Sequence, residues 1–188
     1  MGIKIIKKQD YKTTKWSGGE TTELFIFPED ANLSDRNFNY RISSATTTDE
    51  ESVFSDFSGY DRYIMSLTND LVLKYEGEDF KLEPFEIFYF DGSKNTISYS
   101  EVRDFNLILK KGLQGGLRVE SLCEDCTLKT FNLSNAIIPV DGNIKVKYNN
   151  EEFTIEKFDT LFIGKNDEIE IVNNSGEYSR IIVVEMEV

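Results

Sequence analysis

The hydrophobic and polar residues of this chain alternate over short stretches, and one long stretch of this kind occurs twice. Leu67 to Phe90, LTNDLVLKYEGEDFKLEPFEIFYF, aligns without a gap with Val140 to Ile163, VDGNIKVKYNNEEFTIEKFDTLFI, 73 residues further on. The two copies share six identical residues, and Phe85 and Phe158 form one of these pairs. A long unit that recurs once is typical of a duplicated β module, because a solenoid needs three or more shorter repeats.

Period-two alternation predicts strands along the rest of the chain. The clearest case is Phe38 to Thr48, where Phe, Tyr and Ile alternate with polar side chains. Arg41 and Ser43 are therefore expected on one face of a strand, which is either solvent-exposed or turned into a barrel. Turn residues recur at ~8–12-residue spacing and no amphipathic helix of three turns is found, so we predict an all-β protein, a sandwich or a small barrel.

Two further pairs of polar residues are candidates for binding. Asp104 and Asn106 share one face of the strand Arg103 to Leu109, where they form either a binding ledge or a solvated edge. Asp61 and Arg62 precede another strand. Such a pair on a surface is worth under ~1 kcal/mol. An Arg directed into a cavity would instead suit a carboxylate, because its donors form a fixed fork.

Glycines mark a turn and a boundary. The segment WSGGETTE, Trp16 to Glu23, contains Gly18 and Gly19, which permit positive φ and a close backbone approach, although an ordinary hairpin turn has the same pattern. The glycines of Gly112 to Gly116 are the best internal boundary. We therefore expect one domain over residues 1–112 and a second over residues 113–188, tightly packed on the first. Polar motifs flank only the first copy of the repeat, so the second is expected to support it.

Composition excludes several functions. The chain has 188 residues, a net charge of −13 and no histidine. Nucleic acid and anionic membranes are unexpected partners, because both need a basic surface. Without a signal segment or an apolar run of membrane-spanning length, a cytoplasmic location is expected. Without histidine, the usual metal sites and His bases are excluded. Cys123 and Cys126 are interpreted as reduced thiols, with a redox pair as the alternative.

Five motifs in order carry a resemblance. WSGGETTE, FNYRISSA, VFSDFSGYDR, FDG and RDFNLIL, within residues 11–112, resemble the HutD/Ves family. Members of that family are similar to bicupins, with two fused jelly-roll β-barrels and little helix, and are encoded near histidine-utilisation genes in some bacteria and stress-induced in others. The resemblance implies a small molecule bound in the first barrel, with no catalysis established. The motif residues are Trp16, Gly19, Thr21, Glu23, Arg41, Ser43, Phe54, Asp61, Arg62, Asp104, Phe105 and Asn106.

The chain also departs from the family pattern. The turn after Trp16 is two residues shorter than the commoner form, and Thr22 stands where many members have Arg. The ligand or its affinity is therefore expected to differ. Cupin enzymes commonly mount a metal on His and Glu side chains, and the missing His residues favour a binder without a metal or cofactor.

We therefore expect a binding or regulatory protein for an anionic or zwitterionic metabolite, because a buried guanidinium favours a bidentate anion. The expected ligand-binding residues are Trp16, Thr21, Glu23, Arg41, Ser43, Asp61, Arg62, Asp104 and Asn106. Three alternatives stay open. Arg41 with Asp61, and Arg62 with Asp104, would be mere buried ion pairs. Glu23 or Asp104 would be the base of a metal-independent lyase or isomerase. The chain would be a protein-interaction module. Both a monomer and a homodimer agree with the sequence.

Overall fold

The computed structural model describes residues 2–122, 126–129, 132–172 and 179–187. In these residues the structure consists of strands and loops, with one turn of 3-10 helix at Lys8–Asp10, so the all-β prediction is confirmed. None of the described residues form a helix long and apolar enough to cross a membrane. The strands in chain order are β1 (Ile3–Ile6), β2 (Lys12–Trp16), β3 (Gly19–Phe27), β4 (Tyr40–Thr47), β5 (Ser52–Val53), β6 (Tyr60–Ser66), β7 (Leu71–Tyr75), β8 (Glu78–Leu82), β9 (Phe88–Asp91), β10 (Thr96–Ser98), β11 (Asp104–Lys110), β12 (Gly115–Leu122), β13 (Cys126–Lys129), β14 (Ser134–Pro139), β15 (Ile144–Tyr148), β16 (Glu151–Ile155), β17 (Thr160–Ile163), β18 (Glu168–Val172) and β19 (Ser179–Met186).

The chain divides into two compact units. One unit is Tyr11–Leu113, which we call the early unit, and the other joins Met1–Asp10 to Gln114–Val188, which we call the late unit. The division after Leu113 falls inside the glycine-rich segment 112–116. In the early unit the sheet orders are β2-β3-β4-β11-β6-β9 and β5-β10-β7-β8, and in the late unit they are β1-β17-β14-β19-β12 and β13-β18-β15-β16. The order β4-β11-β6-β9 therefore has its counterpart in β12-β19-β14-β17.

The first ten residues correct the domain boundary expected from the sequence, which placed them with residues 11–112. Strand β1 pairs antiparallel with β17 of the late unit, with Ile3 opposite Ile163. The buried carboxylate of Asp159 also accepts hydrogen bonds from Lys7 Nζ (2.8 Å) and from the backbone N–H of Lys8 (2.9 Å). These long-range bonds fix the segment to the late unit, and alternation within IKII could not indicate the partner strand.

The repeat forms the same local structure twice. Strands β7 and β8 form a hairpin that has its counterpart in β15 and β16, 73 residues later. Phe85 and Phe158 both have positive φ angles, 69° and 67°. This conformation is unusual for a bulky residue. In both copies the Phe N–H donates a 2.8 Å hydrogen bond, to the carbonyl oxygen of Ser66 or of Pro139. The identical Phe residues therefore occupy equivalent positions in one duplicated turn.

The interiors of the two units differ in composition. Among the described residues, the buried core cluster of the late unit contains only Leu, Ile and Val side chains, such as Ile137, Ile181 and Val183. The early unit buries aromatic rings as well, among them Phe38 and Phe90. The CEDC segment lies largely outside the described residues. Cys123 is not described, and the structure gives only the backbone pairing of Cys126, so the predicted state of its thiols stays a prediction.

Candidate functional site

A cavity of about 450 Å³ lies in the early unit. Strands β2, β3, β4, β6 and β11 supply side chains to it, together with the loop residues 31–33 and the segment 52–57. Its apolar walls come chiefly from Trp16, Leu33, Val53, Phe54 and Phe57. The charged side chains that line it are Lys12, Glu23, Arg41, Arg62 and Asp104. The cavity therefore combines aromatic walls with several charged groups.

Strand alternation directs the predicted polar residues into this cavity. On β4 the lining residues include Arg41 and Ser43, and on β11 they include Asp104 and Asn106. In the antiparallel pairing of these strands Asn106 lies opposite Ser43, so their side chains share a face. The shared faces predicted from the sequence are therefore present, and they face a cavity.

A bulge in β3 brings Glu23 to the same cavity. Glu23 lies opposite Ser43, and the register then shifts between Glu23 and Phe25. One extra residue exchanges the two faces of a strand. Phe25 and Phe27 consequently stack on the ring of Tyr40, with centroids 5.9 Å and 5.3 Å from it. Because Tyr40 precedes Arg41 on β4, these rings lie on the opposite face of the sheet from Glu23.

Arg41 has a partner inside the protein. Its Nε donates to Oε2 of Glu23 at 2.7 Å, and its Nη1 donates to Oγ of Ser43 at 3.0 Å. The ion pair between Arg41 and Asp61 that the sequence offered as an alternative is therefore not formed. Asp61 does not line the cavity. It lies beside Arg62 on β6, and neighbouring residues of a strand point to opposite faces. It lies near Tyr89 instead, and burial together with the Asp61 carboxylate raises the pKa of Tyr89.

Arg62 is buried without a carboxylate partner. Only 6% of the residue is exposed, and among the described residues its guanidinium forms no ion pair, while its Nε has no hydrogen-bond acceptor. The guanidinium carbon lies 4.8 Å, 5.0 Å and 5.5 Å from the ring centroids of Phe54, Phe90 and Phe57. Burial lowers the pKa of Arg62 to about 10, although the negative charge of Asp104 opposes this shift. The Arg62–Asp104 ion pair, which the sequence also offered as an alternative, is likewise not formed.

Asp104 and Asn106 supply acceptors. Oδ1 of Asp104 accepts the backbone N–H of Ala45 at 3.0 Å. Burial raises the pKa of Asp104 to about 6, against the opposing effects of the Ala45 N–H and of the nearby Arg62 charge. Asn106 is 7% exposed and its Oδ1 has no donor partner in the part of the chain that the structure describes. Two of the residues that line the cavity thus have an unpaired buried polar atom, the donor Nε of Arg62 and the acceptor Oδ1 of Asn106.

The hairpin between β2 and β3 carries the remaining predicted residues. Trp16 Nε1 donates to Oγ1 of Thr21 at 3.1 Å, and Trp16 is 40% exposed. Gly19 has a φ of 151°, and a Cβ there would collide with the carbonyl oxygen of Thr46. The close approach anticipated at this turn therefore requires Gly19. With Thr21 and Trp16, all the predicted site residues except Asp61 line the cavity, and their role in binding stays a prediction.

Sequence reasoning missed the aromatic enclosure of Arg62. In the sequence Phe54 was a residue of a family motif and Phe90 the last residue of the first repeat copy, and neither indicated a contact with Arg62. Backbone hydrogen bonds hold this segment: Phe57 N–H donates to the Gly92 carbonyl at 2.7 Å, and Gly92 N–H donates to the Tyr60 carbonyl at 2.9 Å. A Cβ on Gly92 would lie 2.8 Å from the Phe57 carbonyl oxygen. The FDG motif thus fixes the rings that pack on Arg62.

Two other features complete the site. Lys12 and Thr14 line the cavity and were also missed, although the spacing of two residues from Thr14 to Trp16 was an available signal.

In the described residues no three His, Cys, Asp or Glu side chains converge in a way that could hold a metal ion. Glu23 and Asp104 are the carboxylates of the cavity lining, and each already has a partner.

Comparison with solved structures gives the class of protein. A conserved protein of unknown function from Pseudomonas aeruginosa PAO1 is 20% identical, with a TM-score of 0.88 and complete coverage of both chains. HutD from Pseudomonas fluorescens SBW25 is 24% identical, with a TM-score of 0.75 and again complete coverage of both. A cupin 2 conserved barrel domain protein from Leptotrichia buccalis is 12% identical, with a TM-score of 0.63, over 93% of this chain and 92% of that one. The chain is therefore an all-β protein with a cupin-type fold.

The family follows from the sequence comparison. The HutD family model matches residues 8–179, so the chain belongs to the HutD family. A search of curated protein sequences finds no match. The resemblance given by the five motifs is therefore confirmed.

Proposed function

We propose that this chain is a binding protein for a small anionic or zwitterionic metabolite, held without a metal in the cavity of the early unit. We also propose that the two units are the modules of a bicupin, since their strand orders correspond. The observation that carries the binding proposal is Arg62, a buried cation with an unpaired Nε beside an open cavity. The chain belongs to the HutD family, which supports a regulatory role connected with histidine catabolism or stress.

The guanidinium of Arg62 is costly to bury. A cation removed from water is unfavourable unless it is paired and hydrogen-bonded. Arg41 meets this condition through Glu23, whereas the described residues offer Arg62 only ring faces and the more distant charge of Asp104. Because the rings cover the faces of the guanidinium, its N–H edge is the position where an acceptor can bind. A ligand carboxylate at that edge would form a charge-assisted hydrogen bond.

A thermal-shift screen tests the proposal. Small carboxylates, amino acids and neutral amides are added to the wild-type protein and to the Arg62→Met variant. A ligand that binds only the folded state raises Tm. We expect carboxylates or zwitterions, but not neutral amides, to raise the Tm of the wild type, and Arg62→Met to lose this response. Arg118→Met is the matched control, because Arg118 lies in the late unit and is paired with glutamates. If no charged compound shifts the wild type, or if Arg62→Met responds equally, the proposal is wrong.

A second candidate is a metal-independent lyase or isomerase, and the raised pKa of Asp104 favours it. A carboxylate with a pKa of about 6 is better matched to proton transfer near neutral pH than an ordinary aspartate. The purified protein is incubated with intermediates of histidine breakdown, and products are followed by mass spectrometry. Turnover that is lost in both Asp104→Asn and Glu23→Gln would support an enzyme. Saturable binding without turnover would favour the binding protein.

A further inference from the structure

We propose that the ligand of the early unit is a zwitterion, whose carboxylate binds Arg62 and whose positively charged N–H donor binds Asn106 and Asp104. This inference rests on the proposed function and makes it narrower, because an anion alone would also satisfy that proposal. It is carried by two orphaned polar atoms of opposite type and by the charge balance of the cavity.

The orphaned atoms indicate what a ligand must offer. Arg62 Nε is a donor without an acceptor, and Asn106 Oδ1 is an acceptor without a donor. Both residues are more than nine-tenths buried, and both line the same cavity. An unpaired buried polar atom is destabilising, so a ligand that pairs both atoms gains more than one that pairs only Arg62. The ligand therefore needs an acceptor group and a donor group together.

The two groups must lie close to each other. Arg62 pairs with Ile108 across β6 and β11, and Asn106 pairs with Ile64, the next inward position of β6. Diagonal neighbours of this kind in a sheet are roughly 7–8 Å apart. The Arg side chain is longer than the Asn side chain, so a small metabolite can reach both.

The charges of the cavity favour a positive donor. Arg41 and Glu23 form an ion pair, which leaves Arg62 and Asp104 as one positive and one negative buried charge. A bare carboxylate beside Arg62 would change the net buried charge from zero to −1, unless the protein also took up a proton. An ammonium next to Asp104 and Asn106 keeps the sum at zero. Lys12 also lines the cavity, but it is exposed and keeps its hydration.

Matched probes separate these ligand classes. Isothermal titration of the wild-type protein compares 3-phenylpropanoate with phenylalanine, and pentanoate with 5-aminopentanoate, because each pair differs by one amino group. The first pair places the ammonium beside the carboxylate and the second places it at the far end. N-acetylphenylalanine keeps an N–H donor and the carboxylate but loses the positive charge, and phenylalaninamide loses the carboxylate.

We expect the amino member of at least one pair to bind about tenfold or more tightly than its partner, as pairing an orphaned buried acceptor implies. In Asn106→Leu this ratio should fall towards one while binding of the bare carboxylate persists. Asn69→Leu, an exposed position of the same unit, should keep the ratio. Phenylalaninamide should bind weakly.

Three results would overturn the inference. If both bare carboxylates bind as tightly as their amino partners, the ligand is an anion, and the proposed function stands without the zwitterion. If N-acetylphenylalanine equals the better zwitterion, a neutral donor is sufficient and the charge argument is wrong. If no carboxylate of either kind binds, the proposed function itself is wrong and the inference is lost with it. The wild-type comparisons decide these outcomes even if Asn106→Leu does not fold.

Discussion

Arg62→Met should make the ligand-free protein more stable, because the native guanidinium is buried without a carboxylate partner among the described residues. Burial lowers the pKa of Arg62 from the usual value of an arginine to about 10. At about 1.4 kcal/mol per pKa unit, this shift corresponds to about 3 kcal/mol against the charged form in the folded state. Both pKa values lie above neutral pH, so the whole penalty is present there and would be relieved only as the pH rises from the folded towards the unfolded value.

Two losses reduce this gain. Three ring faces pack on the guanidinium, and together these contacts are worth roughly 1–2 kcal/mol. Asp104 also loses a nearby positive charge, which moves its pKa further upward and makes it more often neutral. Met fills a similar volume and packs well against rings. The net expectation is a gain of about 1 kcal/mol in the free energy of unfolding, or ~3 °C in Tm for a chain of this size.

Urea denaturation followed by tryptophan fluorescence measures this change. Trp16 is the only Trp in the sequence and lies beside the cavity, so the signal reports on the early unit. Arg118→Met provides the control, since an exposed paired Arg should contribute less than about 1 kcal/mol. A loss of more than about 2 kcal/mol in Arg62→Met would refute the reasoning, because it would identify the guanidinium as a satisfied structural group.

Two further predictions concern buried carboxylates. The pKa of Asp104 is raised to about 6, so the folded state takes up a proton below that pH. As the pH falls from about 7 to about 4.5, the wild type should therefore gain about 2 kcal/mol of stability relative to Asp104→Asn, as measured by urea titrations. A pH-independent difference would contradict this assignment. Asp159→Ala should remove about 2–3 kcal/mol of stability and speed hydrogen exchange in β1, because the backbone N–H groups of Lys8 and Glu156 lose their acceptor. Unchanged exchange in β1 would show that strand pairing alone holds the segment.

Alternation predicted which residues share a face, because the two-residue period is a local property of the strand. It succeeded for Arg41 with Ser43 and failed for Asp61. The strand was predicted to begin after Arg62, whereas β6 begins at Tyr60. With Asp61 and Arg62 inside the strand, their side chains must point to opposite faces. The error at Asp61 was therefore one of strand boundary, and the chemistry assigned to Arg62 was unaffected by it.

Partnerships between distant residues could not be read from the sequence. The Arg41–Glu23 pair depends on the pairing of β3 with β4 and on a bulge one residue long. The rings around Arg62 come from separate segments, since Phe54 precedes β6 and Phe90 lies in β9. Local patterns carry no information about such registers, which are set by the packing of the whole sheet.

The duplicated turn allows the two interiors to be compared position by position. Asn106 pairs with Ile64 in the early unit, and 73 residues after Ile64 lies Ile137, which pairs with Val183 in the late unit. In the same way Asp104 pairs with Ser66, and Ile181 pairs with Pro139. The late unit therefore has Ile181 and Val183, both in its aliphatic core, where the early unit has Asp104 and Asn106. One backbone pairing supports either a filled core or a polar cavity. The polar groups of the early unit are thus not required by the strand pairing, which agrees with the role in ligand recognition proposed for them.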